Sequence, residues 1–411
     1  MRKTIPILTL GFAIISCNNP STNYSDRNTV HPDRPAATII NLPSPADSIA
    51  AEPWLFTDKN GEVYLSWIHK SSDSGILKFS VLGKEQWSVP KTIASGKNWF
   101  INWADYPVLA ADGEGNLVAH FLEKSDSGKF TYDIKITSSQ NEGNAWSTPL
   151  SLHDDGLKAE HGFVSMMPYQ DGYFISWLDG RNTVMPEGSG NHEGHHGQMT
   201  LRGAIVDKRG NKTNEWELDE RVCDCCQTSA AITSNGPVLI YRDRSADEIR
   251  DISIVRMVGG KWTSPEAIHA DNWKITGCPV NGPRIDAAGN NLAIAWFSSP
   301  EKNPQVNVIF SEDGGASFGK PVRMDEGKAI GRVDLVMLDD QSAVVSWMEG
   351  SEIRAAKVFS NGKKEPSILI AASSESRSAG FPQMTKTENG LVFAWTDPTV
   401  KTIRTIKLPL K

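Results

Sequence analysis

The stretch GEVYLSW at residues 61–67 decides the fold, because its pattern returns six more times along the chain. Each copy has a turn residue, a short apolar run and then an aromatic or histidine side chain. The closing residues of the seven copies are Trp67, His120, Trp177, Tyr241, Trp296, Trp347 and Trp395. They are separated by 53, 57, 64, 55, 51 and 48 residues, and a period near 50 with several strands per unit is typical of a β-propeller.

Each period predicts four strands. Another strand start, often marked by proline, lies about 13 residues before the aromatic, and a second phrase such as QWSVP or KWTSP lies about 20 to 26 residues after it. One such sheet has two apolar faces, and radial packing against neighbouring sheets buries both. We expect an all-β propeller of seven four-stranded blades, with six as the alternative. The last unit is short, and ATIINL at residues 37–42 would supply its outer strand and close the ring.

The turn before the second aromatic carries a family resemblance. SEDGGASF at residues 311–318 fits the Asp-box pattern S-x-D-x-G-x-x-W/F, and SSQNEGNAW holds a near match at Ser139, Asn141, Gly143 and Trp146. In such a turn the Ser and Asp side chains bond nearby backbone groups and Gly takes a positive φ. On these motifs, residues 37–411 resemble the sialidase-like (BNR, Asp-box repeat) β-propeller superfamily. Asp-boxes are structural in that family, and true sialidases have six blades, so a seventh departs from them.

The first 17 residues are typical of an export signal. Arg2 and Lys3 precede an apolar run at residues 5–15 that is too short to span a bilayer, and the segment ends in AIISC at Cys17. This ending resembles a bacterial lipoprotein processing site, which implies cleavage before Cys17 and its lipidation; a plain secretory signal is the alternative. Residues 18–36 are polar and proline-broken, as in a flexible tether. We therefore expect a signal peptide (1–17), a tether (18–36) and a propeller (37–411), exported across the inner membrane and lipid-anchored at the outer membrane.

Net charge limits the partners. Without Arg2 and Lys3 the mature chain has 40 basic and 49 acidic residues. This balance argues against a nucleic-acid partner, which needs a basic footprint. We expect a monomer that contacts a glycan or glycoconjugate, and the membrane through its anchor.

Functional residues are expected on one face of the propeller, where the outer-to-inner and second-to-third strand loops emerge. Sialidases hold a sugar carboxylate with an arginine at the first inner strand, where this sequence has Ala51; Arg332 takes the equivalent position five blades later. Arginines pair with carboxylates in bidentate fashion, so a cluster of them could hold such a group. The candidates are Arg332, Arg181, Arg242, Arg244 and Arg377. The alternative is that they pair with neighbouring acids such as Asp179 and Asp243, which are also candidate binding residues.

A sialidase needs a Tyr nucleophile partnered by Glu, and an acidic proton donor. Asp105, at an inner-strand start, is the candidate donor. Tyr241 lies beside Arg242 and is a candidate nucleophile, but it takes a position that is Trp in five other repeats, which favours packing between blades. His161 begins another inner strand and is a candidate binding residue.

The least generic feature is a set of four cysteines in the phrases VCDCCQT and TGCPV. They are Cys223, Cys225, Cys226 and Cys278. Both phrases open inner strands of neighbouring blades, so the thiols should converge. Two disulfides of open connectivity are the first interpretation outside the cytoplasm, and a thiolate copper or zinc site is the second. A loop with imidazole and thioether donors supports the metal: His192, Glu193, His195, His196 and Met199.

Three functions remain open. The first is a sialidase-like glycoside hydrolase or a glycan-binding relative, which the repeats, the anchor and the arginines favour. The second is an extracytoplasmic copper- or zinc-binding protein. The third is a recognition scaffold without chemistry, and fold alone does not choose among them.

Overall fold

The repeated aromatic phrases form the second strands of successive antiparallel sheets, which together make seven blades. The computed structural model describes residues 38–71, 74–184 and 197–410. Strand β1 (Ile40–Leu42) comes first in the chain but belongs to the last blade. Blades 1 to 3 contain β2 (Ala50–Thr57), β3 (Val63–Lys70), β4 (Gly75–Leu82), β5 (Lys91–Gly96); β6 (Leu109–Ala111), β7 (Leu117–Lys124), β8 (Tyr132–Ser139), β9 (Leu150–Ser151); and β10 (His161–Tyr169), β11 (Gly172–Asp179), β12 (Thr200–Asp207), β13 (Lys212–Asp219).

The remaining blades repeat this order from the inner to the outer strand. Blades 4 and 5 contain β14 (Ser229–Thr233), β15 (Gly236–Arg242), β16 (Ile252–Val258), β17 (Lys261–Trp262), β18 (Glu266–Ala267); and β19 (Arg284–Ala288), β20 (Asn291–Ser298), β21 (Gln305–Ser311), β22 (Val322–Arg323). Blades 6 and 7 contain β23 (Ala329–Met337), β24 (Ser342–Glu349), β25 (Glu352–Phe359), β26 (Ile368–Ala372); and β27 (Gln383–Thr387), β28 (Gly390–Asp397), β29 (Thr402–Pro409). In blade 4 the outer strand is split into β17 and β18, which both pair with β16.

The two ends of the described chain close the ring. Strand β1 pairs with β29 in antiparallel fashion, with Ile40 opposite Lys407 and Leu42 opposite Thr405. The N-terminal segment is therefore the outer strand of blade 7, as the short last repeat predicted. Seven four-stranded blades are confirmed, and six is wrong.

The second-strand aromatics fill the space between blades. Trp67, Trp177 and Trp296 are completely buried. Trp67 packs in one cluster with Val392 and Ala394 of the preceding blade. Burying a large apolar side chain contributes about 1.5–3 kcal/mol, so these contacts are a main source of cohesion around the ring.

The two Asp-box turns are held by local hydrogen bonds, and the glycine of the first lies against the preceding blade. Ser311 Oγ donates to Asp313 Oδ1 at 2.8 Å and accepts from the Gly315 N–H at 2.9 Å. Gly315 has φ 85°, and a Cβ there would lie 2.7 Å from Ile254 in blade 4, so only glycine fits. The near match at residues 139–146 has the same bonds, with Asn141 Oδ1 accepting from Ser139 Oγ at 2.9 Å.

Helical structure within the described ranges is limited to three short 3-10 turns. They are Arg181–Thr183, Pro300–Lys302 and Arg377–Ala379. None of the helices in this part of the chain has the length and apolar character needed to cross a membrane.

Candidate functional site

Loops before the inner strands meet at one face of the propeller, even when their blades are not neighbours. Gln227, before β14, donates from Nε2 to the Ala104 carbonyl at 2.6 Å, and its Oε1 accepts from the Gly282 N–H at 3.0 Å. One side-chain amide therefore links blades 2, 4 and 5. Trp103 of blade 2 stacks on Phe381 of blade 7, with ring centroids 5.6 Å apart. These contacts gather the pre-strand loops around the axis, as the repeat predicted.

A cavity of about 400 Å³ lies among the inner strands, and its wall includes Asp58 and Lys59 of the β2–β3 turn on the opposite face. A buried guanidinium, that of Arg284, also lines it. It donates to the Tyr106 hydroxyl, and its Nε lies 3.6 Å from Asp334 Oδ1. This enclosed cation therefore connects blade 5 with the loop before blade 2 and with blade 6.

The most unusual polar arrangement at the converging face joins two carboxyl groups through one phenol. Tyr132 Oη, at the start of β8, lies 2.9 Å from Asp105 Oδ2 and 2.9 Å from Glu160 Oε1. The other Asp105 oxygen accepts from the Phe163 N–H at 2.7 Å. Tyr132 and Asp105 are buried, whereas Glu160 is only half-buried. Glu160 is thus the member of this triad that can meet a ligand.

Proton counting assigns a neutral carboxyl to this triad. The phenol has one proton to donate, so both contacts are hydrogen bonds only when one carboxyl is protonated and donates to the phenol oxygen. Burial raises the pKa of Asp105 to about 7, although the Phe163 N–H and the Tyr132 hydroxyl lower it. Burial raises the pKa of Glu160 to about 8, with the charges of Asp105 and Asp224 adding to the effect. Glu160 therefore holds a proton at neutral pH.

Groups around Glu160 suit a polar ligand with an apolar face. Phe100 stacks on Tyr132 with ring centroids 4.0 Å apart, and Phe130 lies edge-on to Phe100 and is 48% exposed. The Asp224 side chain is 40% exposed, and Arg244 Nη1 lies 3.4 Å from its Oδ1. A few polar groups beside aromatic surface are the usual composition of a ligand site.

Two of the candidate arginines, Arg242 and Arg332, form hydrogen bonds with backbone carbonyls. The Arg242 guanidinium is buried and donates to the carbonyls of Asn281, Arg250 and Phe297 at 2.6–3.1 Å. The Arg332 guanidinium donates to the carbonyls of Glu375, Ser376 and Gly380 at 3.0–3.1 Å. These bonds fix both buried guanidinium groups to the backbone inside the propeller. The structure therefore does not build the expected carboxylate-binding cluster around them.

The other arginines are partly paired. Arg181 forms a bidentate ion pair with the buried Asp179, with two N–O distances of 2.8 Å. Arg244 pairs with Glu248, from Nη2 to Oε1 at 2.8 Å. Arg377 is exposed, and its guanidinium lies 5.9 Å from the Trp103 ring centre. Pairing with neighbouring acids thus describes Arg181 and Arg244, and Arg377 stands apart at the rim.

The two remaining candidate residues of blade 4, Tyr241 and Asp243, form hydrogen bonds with neighbouring residues. Tyr241 is completely buried, and its hydroxyl donates to Asp219 Oδ2 at 2.5 Å. Burial also raises its pKa, and this enclosed position matches the expected packing between blades. Asp243 accepts from the Arg244 N–H at 2.6 Å and from Ser253 Oγ at 3.2 Å.

His161 belongs to a buried ion-pair network at the junction of blades 2 and 3. Its ring stacks on His153 with centroids 3.6 Å apart, and Asp155 Oδ2 lies 3.0 Å from His161 Nε2 and 3.2 Å from His153 Nδ1. Donor atoms here are close enough for a metal ion. However, Arg181 already engages both Asp155 and Asp179, so we interpret the group as an ion-pair network.

The cysteines form one disulfide and one close pair of thiols. Cys225 and Cys278 are bonded, which links the loops before β14 and β19. Cys223 and Cys226 are free, with their sulfurs 3.1 Å apart. Of the two expected disulfides one is present, and the bonded pair cannot supply thiolates to a four-cysteine copper or zinc site. Of the histidine-loop donors, Met199 is buried, and His192, Glu193, His195 and His196 lie outside the described residues.

Asp105, the expected proton donor, is buried in this triad, and the sequence analysis did not single out its partners Tyr132 and Glu160. Glu160 directly precedes the inner strand β10, and a survey of all acids before inner strands would have included it. Tyr132 begins a third strand, a position that the repeat does not single out. No pattern in the sequence signals that a third-strand residue of blade 2 reaches an acid that precedes blade 3.

Comparison with known proteins adds the family. A family model described as a BNR repeat-like domain matches residues 72–394. No curated protein matches this sequence.

Solved structures share the architecture at low identity. Polysaccharide lyase Uly1 has a TM-score of 0.52 at 8% identity, with 90% of this chain and 92% of that chain covered. The K499G mutant of NanB sialidase from Streptococcus pneumoniae has a TM-score of 0.46 at 11% identity, with 92% and 71% covered. The Hadza microbial sialidase Hz136 has 0.42 at 13% identity, with 73% and 63% covered, so this chain spans less than two thirds of it. At such identities the likeness concerns the fold alone.

Proposed function

Because this chain belongs to the family of BNR repeat-like domains, matched over residues 72–394, we propose that it is a glycan-processing propeller that hydrolyses a glycosidic bond at the Asp105–Tyr132–Glu160 triad. The observation that carries the proposal is the Tyr132 hydroxyl, held 2.9 Å from both carboxyl groups. This arrangement keeps a carboxylic acid protonated at neutral pH beside aromatic surface, as a general acid requires.

Each residue of the site has a separate role in this reaction. Glu160 gives its proton to the oxygen of the leaving sugar. Tyr132 and Asp105 are positioning residues: the Tyr132 hydroxyl holds the Glu160 carboxyl in place, and the charge of Asp105 adds to the burial that keeps the Glu160 pKa high. Asp224, 40% exposed beside Arg244, is the second carboxylate and takes a proton from the attacking water. Paired carboxyl groups with these two roles are the usual machinery of glycoside hydrolysis.

The test compares two kinds of substrate in the Glu160→Gln variant. An unactivated oligosaccharide needs its leaving oxygen protonated, whereas a 4-methylumbelliferyl glycoside with the same sugar needs this far less. We expect turnover of the oligosaccharide to fall about 10²- to 10⁴-fold and turnover of the aryl glycoside to fall much less. Glu375→Gln, at an exposed glutamate elsewhere, is the matched control.

Two results would count against this function. Equal losses on both substrates would indicate a structural rather than an acid role for Glu160. A wild-type protein that cleaves no member of a panel of sialosides, uronides and neutral glycosides would remove hydrolysis and leave glycan binding alone.

We further propose that the enzyme works at the bacterial cell envelope, attached through a lipid on Cys17. A basic start, an apolar run and the ending AIISC support this anchor. Radiolabelled palmitate should enter the wild-type chain and not the Cys17→Ser variant. Equal labelling of both would exclude the anchor.

A further inference from the structure

Three sulfur atoms lie in series at the junction of blades 4 and 5. Cys226 Sγ is 3.1 Å from Cys223 Sγ, which is 4.0 Å from Cys225 Sγ. Cys225 is in turn bonded to Cys278. A thiol pair therefore contacts a disulfide directly, and thiol–disulfide exchange requires such contact.

Burial orders these sulfurs from the interior to the surface. Cys223 is 0% exposed and Cys226 is 1% exposed. Cys225 is half-buried, and Cys278 is exposed. In this fold the buried thiols can exchange with an outside molecule only through the disulfide.

Cys223 has the surroundings of a nucleophilic thiolate. Arg250, itself buried, donates from Nη1 to Cys223 Sγ at 3.3 Å. The hydrogen bond with the Cys226 thiol lowers the pKa of Cys223 to about 6, with the positive charges of Arg242 and Arg250 contributing, although burial opposes this. Burial instead raises the pKa of Cys226. The thiolate is the attacking form, so Cys223 is the attacking residue.

We propose that the four cysteines form a thiol–disulfide exchange site, which moves a disulfide between the buried pair Cys223/Cys226 and the outer pair Cys225/Cys278. The Cys223 thiolate attacks Cys225 Sγ, a Cys223–Cys225 bond forms, and Cys278 leaves as a thiolate at the surface. Cys226 then loses its proton and attacks Cys223 Sγ. The Cys223–Cys226 bond forms, and Cys225 leaves as a thiolate and takes up that proton. No electrons are gained or lost in these steps.

The outer pair then reduces a disulfide-bearing molecule. The Cys278 thiolate attacks one sulfur of the substrate disulfide, which gives a mixed disulfide and releases the first substrate thiol. Cys225 attacks Cys278 Sγ, reforms the Cys225–Cys278 bond and releases the second thiol. Two electrons have passed to the substrate, and the chain ends with two disulfides. This activity is separate from glycan hydrolysis and does not depend on it.

Alkylation of the native wild-type chain tests the internal exchange. A maleimide should label Cys278, and peptide mapping by mass spectrometry should then find a Cys223–Cys226 disulfide. Glutathione disulfide, used as the probe substrate, should yield two molecules of glutathione per chain while the thiols of the cluster disappear. A chain in which Cys278 is never labelled, or which releases no glutathione, overturns the proposal.

Two serine variants separate the attacking from the resolving thiol. Cys223→Ser removes the nucleophile, so Cys278 should stay unlabelled. Cys226→Ser removes only the second step, so Cys278 should be labelled while a Cys223–Cys225 disulfide accumulates. Both variants replace one buried thiol by one hydroxyl, so they are matched in size and burial. Equal labelling of Cys278 in the two variants would contradict the assigned order.

Discussion

Asp105 should make the stability of the fold depend on pH. Its pKa is raised to about 7 by burial, whereas an Asp in an unfolded chain has a pKa of about 3.9. Between these values the folded state binds more protons than the unfolded state, so the free energy of unfolding falls as pH rises, by up to about 1.4 kcal/mol per pH unit, and levels off above about pH 7. The Asp105→Asn variant should lose this part of the slope, as measured by urea unfolding between about pH 5 and about pH 8.

The control for that measurement is an ordinary carboxyl. Asp171 is exposed in the β10–β11 turn, and Asp171→Asn should keep the wild-type slope. If Asp105→Asn also kept the wild-type slope, the carboxyl would be ionised throughout this range. Tyr132 would then have no protonated partner at Asp105, and Glu160 alone would carry the proton of the triad.

Individual arginines show where residue-level prediction from sequence ends. Arg242 is the last residue of β15, and Arg332 lies within the first half of β23. Their partners include backbone carbonyls from other blades, such as those of Phe297 and Gly380. Every residue has a backbone carbonyl, so the sequence does not indicate which ones will accept these bonds. An exposed arginine and a buried one therefore look alike in a repeat alignment, although only the exposed one can meet a substrate.

At the scale of single elements, the sequence specified the second strands and the Asp-box turns almost completely. Both depend on local hydrogen bonds and on the alternation of buried residues along one strand, and a pattern of about seven residues records both. His120 shows that the last position of the repeated phrase tolerates a polar side chain. Its Nδ1 accepts from the Val108 N–H at 3.1 Å, and burial lowers its pKa to about 3. His120 is therefore an uncharged side chain that packs in the interior. The third strands gave no such signal, and Tyr132 was missed for that reason.

At the scale of the whole molecule, seven blades and their closure follow from the period and from one apolar segment at each end of the chain. The contacts across the axis do not follow, because they join loops more than a hundred residues apart, as between Gln227 and Ala104. Such loops obey no repeat. The ring could therefore be predicted from the sequence, whereas the candidate site that the ring assembles could be predicted only in part.

Closure by β1 should be a measurable part of the stability of the ring. Leu42 is 5% exposed and packs with Trp67 and Val392, and its carbonyl accepts from Thr405 Oγ at 2.9 Å. A chain that begins at residue 43 loses this side chain and the β1–β29 hydrogen bonds, and leaves β29 as an open edge. We expect its thermal midpoint to lie about 3–6 °C below that of a chain that begins at residue 38, as measured by calorimetry. An open edge should also promote association at high concentration.

Two substitutions within β1 test the effect of ring closure on stability without shortening the chain. Leu42→Ser should lower the midpoint in the same direction as the truncation, because it buries a hydroxyl where a leucine packed. Ile40→Ser should have little effect, because Ile40 is 44% exposed in the same strand. If the truncated chain and Leu42→Ser both unfolded at the temperature of the longer chain, β1 would be a dispensable edge. Blade 7 would then be held by its contacts with blades 1 and 6 alone.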